Sequence, residues 1–162
     1  MIPENVQYID GDIFAHTDDW DIMCHQVNCL GAFGRGIAYT IAQKYPRVRQ
    51  AYIDLVSLCN CKGELLGTTQ LCAIDNNKYI ANLFGQYDYG ASKNKIYTSY
   101  DAFENALKIL EGYAYSFNVN RIAFPYKIGC GLANGDWQII ESYISKLANS
   151  NKDFQIKIYK LN

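Results

Sequence analysis

The chain has 162 residues, of which 49% are hydrophobic and 19% charged, and its formal net charge is −1. This length and composition predict one globular domain over residues 1–162, with a core that buries most of the apolar surface. A net charge near zero provides no broad basic field, so the sequence carries no strong signal for nucleic-acid binding. No apolar run approaches the roughly 20 residues that a membrane-spanning helix needs, and we expect no membrane association.

The six cysteines show no metal-binding arrangement. Several lie in apolar runs, where a free thiol behaves as a small hydrophobic side chain. Cys59-x-Cys61 differs from the usual zinc spacing and has no matching second pair. With no secretory signal at the amino end, this cysteine usage predicts a reduced, cytoplasmic protein without a metal site. No pattern in the sequence requires a cofactor.

The first half of the chain alternates between strand and helix patterns. Period-two and apolar runs predict strands at Val6–Ile9 and Ile22–Val27. Helical spacing follows from Ile37 to Tyr45. Pro46 either ends that helix or begins a second one, which runs to about Leu58. Two further strands, Thr69–Ile74 and Lys78–Phe84, flank the polar turn 75–77 and predict a β-hairpin.

The second half opens with a polar loop, Gly85 to Tyr97, whose length is typical of a functional lid. Thr98 or Ser99 can cap the next helix, which runs to about Phe117. The remaining elements are a strand at Arg121–Pro125, a helix from Trp137 to about Leu147, and a strand at Phe154–Tyr159. The order β-β-α-α-β-β-α-β-α-β predicts a three-layer α/β/α fold with a mixed sheet of about six strands.

A glycine-containing loop, residues 28–38, joins the second strand to the first helix. It starts with Asn28 and has glycines at 31, 34 and 36. A helix N-terminus favours anions, so we interpret it as a phosphate-binding loop with Asn28 placed to contact a neighbouring hydroxyl. Neither the G-x-G-x-x-G fingerprint nor the Gly-Lys-Ser/Thr of a P-loop is present. A turn that only joins strand to helix stays an alternative.

A second strand–glycine loop–helix unit spans residues 126–137, and two such loops could converge on one diphosphate. Three further polar residues each have two interpretations. Asp12, just past the first strand, could accept from an adenine amino group or form a turn. His25 could be a hydrogen-bonded core residue or have a catalytic or orienting role. Asp136 is a natural N-cap for the last helix, with a catalytic role as the alternative.

In their order along the whole chain, these features resemble the macro domain family, which binds ADP-ribose. The matching pieces are Gly11-Asp12-Ile13, Asn28 before Gly31-x-x-Gly34-x-Gly36-Ile37-Ala38, and Ile128-Gly129-Cys130-Gly131. Within the family the chain is most similar to the branch with ADP-ribose 1''-phosphate phosphatase. This likeness rests on four stretches: His25-x-x-Asn28-Cys29, Tyr45-Pro46, Tyr52 and Leu65-Leu66-Gly67. Terminal ADP-ribose glycohydrolases and antitoxins that remove ADP-ribose from DNA fall nearby.

The resemblance implies ligand-binding roles by position. Asp12 would hold the adenine amino group beside the Ile13 backbone, and Asn28 would bind the distal ribose. Tyr159 would stack by the adenine. The first phosphate loop would be Gly34, Arg35, Gly36 and Ile37, and the second Ile128, Gly129, Cys130, Gly131 and Leu132.

The resemblance further implies a hydrolase, preferably a phosphatase in which water attacks the phosphorus of ADP-ribose 1''-phosphate. His25, Asn28 and Asp136 are the catalytic candidates, with His25 the preferred acid–base group. A glycohydrolase acting on ADP-ribosylated protein, nucleic acid or O-acetyl-ADP-ribose and a non-catalytic reader are the alternatives. For all three functions the binding partner is ADP-ribose or an ADP-ribosylated substrate, and we expect the protein to be a monomer.

Two positions depart from the glycohydrolase pattern. These relatives place a nucleophilic lysine after the strand that here reads Asn82-Leu83-Phe84-Gly85-Gln86, which contains no lysine. They also have an acidic residue where this chain has Ala133. Both departures disfavour a covalent lysine mechanism.

Overall fold

A six-stranded mixed sheet forms the centre of the structure, a computed structural model that describes residues 1–161. The strands are β1 (Val6–Asp10), β2 (Ile22–Val27), β3 (Thr69–Asp75), β4 (Lys78–Phe84), β5 (Arg121–Pro125) and β6 (Gln155–Lys160). Their spatial order is β1-β6-β5-β2-β4-β3, and only the β3–β4 hairpin pairs antiparallel. The carboxyl ends of the five parallel strands therefore meet at one edge of the sheet.

Two helices cover each face of this sheet and complete the predicted three-layer α/β/α fold. They are α1 (Gly36–Lys44), α2 (Pro46–Leu58), α3 (Tyr100–Phe117) and α4 (Trp137–Ser150). One core layer, which includes Tyr52 and Phe84, lies under α1 and α2, and the other, which includes Phe103 and Phe124, lies under α3 and α4. Strand β2 is buried on both faces because its alternate side chains enter opposite layers.

The predicted element order is confirmed, with small differences at the element ends. Helix α1 begins and ends one residue earlier than the periodicity indicates, and α4 continues to Ser150 rather than ending near Leu147. Strand β6 begins at Gln155 and extends to Lys160. Such ends depend on local hydrogen bonds that residue periodicity does not specify. No helix in residues 1–161 has the length and apolar character to cross a membrane.

Helix α3 has a side-chain cap at its start and a left-handed residue at its end. The Ser99 hydroxyl accepts a hydrogen bond from the Ala102 amide at 3.3 Å, so Ser99 is the cap, whereas the Thr98 hydroxyl donates to the Gly129 carbonyl. Asn118 ends the helix with φ 54° and ψ 47°, a conformation that asparagine tolerates better than most residues.

We expect Ser99→Ala to lower the free energy of unfolding by about 1 kcal/mol, because the Ala102 amide loses its acceptor. Urea unfolding at neutral pH measures this loss. Ser142→Ala is the matched control, since the Ser142 hydroxyl donates to Ile139 of its own helix and replaces no missing backbone bond. Equal effects of the two substitutions would contradict the assigned cap.

Candidate functional site

A cavity of about 720 Å³ lies where the segments after β2, β4 and β5 come together. Its lining comes from residues within 25–38, 86–91 and 125–133. The volume is in the range of small-molecule sites, and the carboxyl edge of parallel strands is the usual ligand position in α/β sheets. The two predicted glycine loops therefore face one cavity, as the sequence suggested.

The first glycine loop presents the N-terminus of α1 to the cavity. Arg35 precedes the helix in an extended conformation, and no side chain caps the first turn. The first amides of a helix have no partner within it, so they remain available to an anion. Gly34 and Gly36 have open space where a Cβ would stand, and Gly36 has φ +57°, which other residues rarely adopt.

Asn28 determines the shape of this loop through its side chain. Its Oδ1 accepts from the amides of Leu30 and Ala32 at 3.0 and 3.2 Å, and its Nδ2 donates to the Ala32 carbonyl at 2.7 Å. The Tyr52 hydroxyl lies 2.7 Å from the Asn28 carbonyl, to which it donates, and accepts from the Gly31 amide at 3.1 Å. The second Nδ2 hydrogen of Asn28 has no acceptor within residues 1–161 and is available to a ligand.

The second glycine loop is anchored at Gly129. Its carbonyl accepts from the Thr98 hydroxyl at 2.6 Å and from the Gly135 amide at 2.9 Å. Gly129 has φ +74°, and a Cβ there would stand 2.9 Å from Oε1 of Gln26. The preceding Lys127 is also left-handed, with φ +62°. This compact turn brings Ile128, Gly129, Gly131 and Leu132 to the cavity wall.

Gln26 joins the two sides of the cavity and is a site residue to which sequence reasoning assigned no role. Its Nε2 donates to Oε1 of Gln86 and to the Thr98 hydroxyl, both at 2.9 Å. Its own Oε1 is buried and has no partner within residues 1–161. The sequence feature that could have identified Gln26 is an amide side chain within an apolar strand, on the same face as Asn28.

The charge of the lining favours an anionic ligand. Within the described chain the lining residues include two cations, Arg35 and Lys127, and no carboxylate. Backbone amides of the glycine loops add partial positive charge without appearing in the net charge of −1.

His25 lies at the buried end of the cavity and is 3% exposed. Its Nε2 is 2.5 Å from Oδ1 of Asn82, and its ring meets Phe33 edge to face with centroids 5.4 Å apart. Burial lowers the pKa of His25 to about 4, although the Asn82 hydrogen bond acts in the opposite direction. The imidazole is therefore neutral near pH 7, where it can accept a proton or a hydrogen bond but is not an imidazolium acid.

Three residues predicted to contact the adenine lie near the sheet edge but outside the cavity lining. Asp12 caps a short turn, with its carboxylate accepting from the Phe14 amide at 2.9 Å. Ile13 is part of the core, and Tyr159 is buried with its ring 5.4 Å from that of His16. Their adenine roles stay predictions.

Two other predicted site residues also lie outside the lining. The Cys130 thiol is directed toward the Ile128 carbonyl at 3.4 Å, and burial and the nearby Asp136 raise its pKa to about 11. Asp136 caps α4, accepting from the Gln138 amide at 2.9 Å as its structural interpretation predicted. A catalytic role for Asp136 stays a prediction.

The fold and the cavity define a three-layer α/β/α domain with an anion-adapted site between two glycine loops. No model of a protein family matches the chain. The ADP-ribose 1''-phosphate phosphatase of Lodderomyces elongisporus is 31% identical, over 94% of this chain and 98% of that protein. The macrodomain of Mycobacterium tuberculosis DarG has a TM-score of 0.79 at 23% identity, covering 95% of this chain and 96% of that one.

A further solved structure, Thermosipho africanus DarTG in complex with ADP-ribose, has a TM-score of 0.78 at 17% identity. It covers 99% of this chain and 42% of that chain. Similarity at such low identity shows the shared fold alone. The 31% identical phosphatase, matched over 98% of its length, shows the family. The chain belongs to the macro domain family.

We expect His25 to make the protein less stable in mild acid. The unfolded chain binds a proton at His25 below its ordinary pKa of about 6.5, whereas the folded chain binds it only near pH 4. Stability contributed by neutral His25 is therefore complete above pH 6.5 and is lost as the pH falls toward 4. Between about pH 7 and 5, the change should be on the order of 1–2 kcal/mol.

Urea unfolding at the two pH values measures this change in the wild type and in His25→Gln, which should lose most of it. His16→Gln is the matched control, because His16 is partly exposed beside Asp19. A His25→Gln protein with the same pH dependence as the wild type would contradict the neutral buried imidazole.

Proposed function

We propose that this protein is a hydrolase of ADP-ribose derivatives, and specifically an ADP-ribose 1''-phosphate phosphatase. The observation that carries the proposal is the joining of two glycine loops around one cavity that has cationic and no acidic lining residues in the described chain. The name of the 31% identical relative supports the phosphatase activity. A relative from Meyerozyma guilliermondii with the same name, 27% identical over 87% of this chain, adds to that support.

The diphosphate would lie between the loops, with the uncapped amides of α1 on one side and the turn at Gly129 on the other. Arg35 and Lys127 add full positive charges to the lining. Asn28, whose second Nδ2 hydrogen has no acceptor in the part of the chain that the structure describes, would donate to a hydroxyl of the distal ribose. These contacts hold the substrate through groups that are already fixed in place, so binding requires little reorganisation.

The reaction transfers the terminal phosphoryl group to water. Water attacks the phosphorus and gives up a proton, the bond from phosphorus to the ribose oxygen breaks, that oxygen takes up a proton, and ADP-ribose and inorganic phosphate leave. Neutral His25 would accept a hydrogen bond from the water or from a ribose hydroxyl at the buried end of the cavity. Positioning and electrostatic stabilisation would supply most of the rate, with Asp136 kept as a second, more distant acid–base candidate.

A non-catalytic reader is the second candidate. The observation in its favour is that the binding groups are complete, whereas the lining within the described chain includes one histidine, His25, and no carboxylate. A glycohydrolase finds less support, because residues 82–86 contain no lysine and Ala133 lines the cavity where an acid would be needed. We infer a cytoplasmic location from the free thiols of all six cysteines.

We expect calorimetric titration to show saturable ADP-ribose binding that is stronger than AMP binding by at least about tenfold. Gly36→Glu should abolish the ADP-ribose signal, because a carboxylate would enter the open space at the N-terminus of α1. Gly112→Glu adds the same charge at an open position of α3 and should bind as the wild type does. Undiminished affinity in Gly36→Glu would refute the assigned phosphate position.

We expect the purified protein to release inorganic phosphate from ADP-ribose 1''-phosphate, and His25→Gln to lower kcat by about 100-fold. Asp136→Asn keeps a good N-cap and removes the acid, so its kcat isolates any proton role of that carboxyl. We expect its loss to be smaller than that of His25→Gln. Binding without phosphate release, and without turnover of ADP-ribosylated protein or DNA, would favour the reader.

A further inference from the structure

A chain of hydrogen bonds runs from His25 away from the cavity and across the sheet. Nε2 of His25 meets Oδ1 of Asn82 at 2.5 Å, and Nδ2 of Asn82 meets Oε1 of Gln70 at 2.9 Å. Nε2 of Gln70 then meets the Ala51 carbonyl in α2 at 3.0 Å. The three side chains stand on directly paired positions of β2, β4 and β3, so the strand register itself brings them together.

The last member of the chain fixes the direction of every bond in it. A backbone carbonyl can only accept, so the amide nitrogen of Gln70 must face Ala51 and its oxygen must face Asn82. Asn82 must then turn its nitrogen to Gln70 and its oxygen to His25. That oxygen can only accept, so the shared proton belongs to Nε2 of His25.

The reverse arrangement of Asn82 is disfavoured by its surroundings. Asn82 is fully buried, and its Nδ2 lies 3.8 Å from the Cys72 sulfur as well as near Gln70. Turning the amide around would place Oδ1 of Asn82 against Oε1 of Gln70, two buried acceptors with no donor between them. Leaving a buried polar group unsatisfied costs about 1–3 kcal/mol, so one orientation dominates.

We propose that Asn82 and Gln70 are positioning residues that hold His25 as the Nε2-protonated neutral imidazole, so that its Nδ1 is the acceptor available at the buried end of the cavity. Within residues 1–161 the side-chain hydrogen bond of His25 is made by Nε2, the ring lines the cavity, and Phe33 meets it edge to face. The catalytic use of Nδ1 rests on the proposed function, whereas the position of the proton does not.

The direct test is a long-range ¹H–¹⁵N NMR spectrum of the whole ligand-free protein labelled on histidine, near pH 7. The chain has two histidines, so His16 serves as an internal reference. His25→Gln assigns the signals. We expect a protonated Nε2 and a bare Nδ1 for His25. A proton on Nδ1 of His25 in the wild type would overturn the proposal.

Gln70→Met tests whether the proton is placed from two strands away. Without the Gln70 oxygen, Asn82 is free to turn, and we expect a second His25 species with protonated Nδ1 at a fraction of at least about one tenth. Leu71→Met is the matched control on the same strand and should keep the wild-type pattern, because Leu71 packs in the other core layer, away from the amide chain. A folded Gln70→Met protein with unchanged nitrogen signals would overturn the positioning role.

Comparing kcat with the affinity for ADP-ribose distinguishes a positioning role of Gln70 from a role in substrate binding. We expect kcat of Gln70→Met to fall by the fraction of His25 that the spectrum shows protonated on Nδ1, so that an equal mixture of the two species halves kcat, while the affinity for ADP-ribose stays within about twofold because the phosphate loops are untouched. An equal loss of affinity with unchanged kcat would contradict the role. If the protein released no phosphate at all, the proposed function would fail, while the ligand-free spectra would still decide where the proton lies.

Discussion

The side chain of Asn28 supplies hydrogen bonds that the backbone after β2 cannot make for itself. The chain leaves the sheet at this residue and must cross to α1 without regular structure, which would leave the amides of Leu30 and Ala32 without partners. The Asn28 oxygen accepts from both, and the Tyr52 hydroxyl holds the Asn28 carbonyl and the Gly31 amide. Because the loop keeps this shape, the first turn of α1 points its uncapped amides into the cavity.

The other wall of the cavity, formed by the second glycine loop, is also held in place by side-chain hydrogen bonds. Gln26 and Thr98 connect β2, the segment after β4 and the carbonyl of Gly129 through hydrogen bonds of one consistent direction. The two faces of β2 thus serve different purposes. Gln26 organises the second loop on one face, while His25 joins the amide chain beneath α1 and α2 on the other. Because successive side chains of a strand point to opposite faces, the hydrogen bonds of Gln26 and those of His25 form two separate networks.

Local patterns in the sequence predict much of this arrangement, because glycine spacing, capping residues and alternation are local properties. They place the loops at 28–38 and 126–137, the cap at Asp136, and Gln26 on the same face as Asn28. They do not reveal that Asn82 and Gln70 lie beside His25, since that contact depends on the register between β2, β4 and β3. The burial of Tyr159 likewise depends on tertiary packing, whereas the local turn at Asp12 is one of the two interpretations that its sequence allowed.

The origin of the positive potential in the cavity has a consequence for how robust the site is. Part of it comes from peptide groups at the start of α1 and in the turn at Gly129, and peptide dipoles neither titrate nor change when a side chain is replaced. A surface that is slightly acidic overall can therefore contain a lasting anion site. The main chain contributes to the preference of the site for anions, and this contribution should persist when surface side chains are replaced, as long as the two turns keep their glycines.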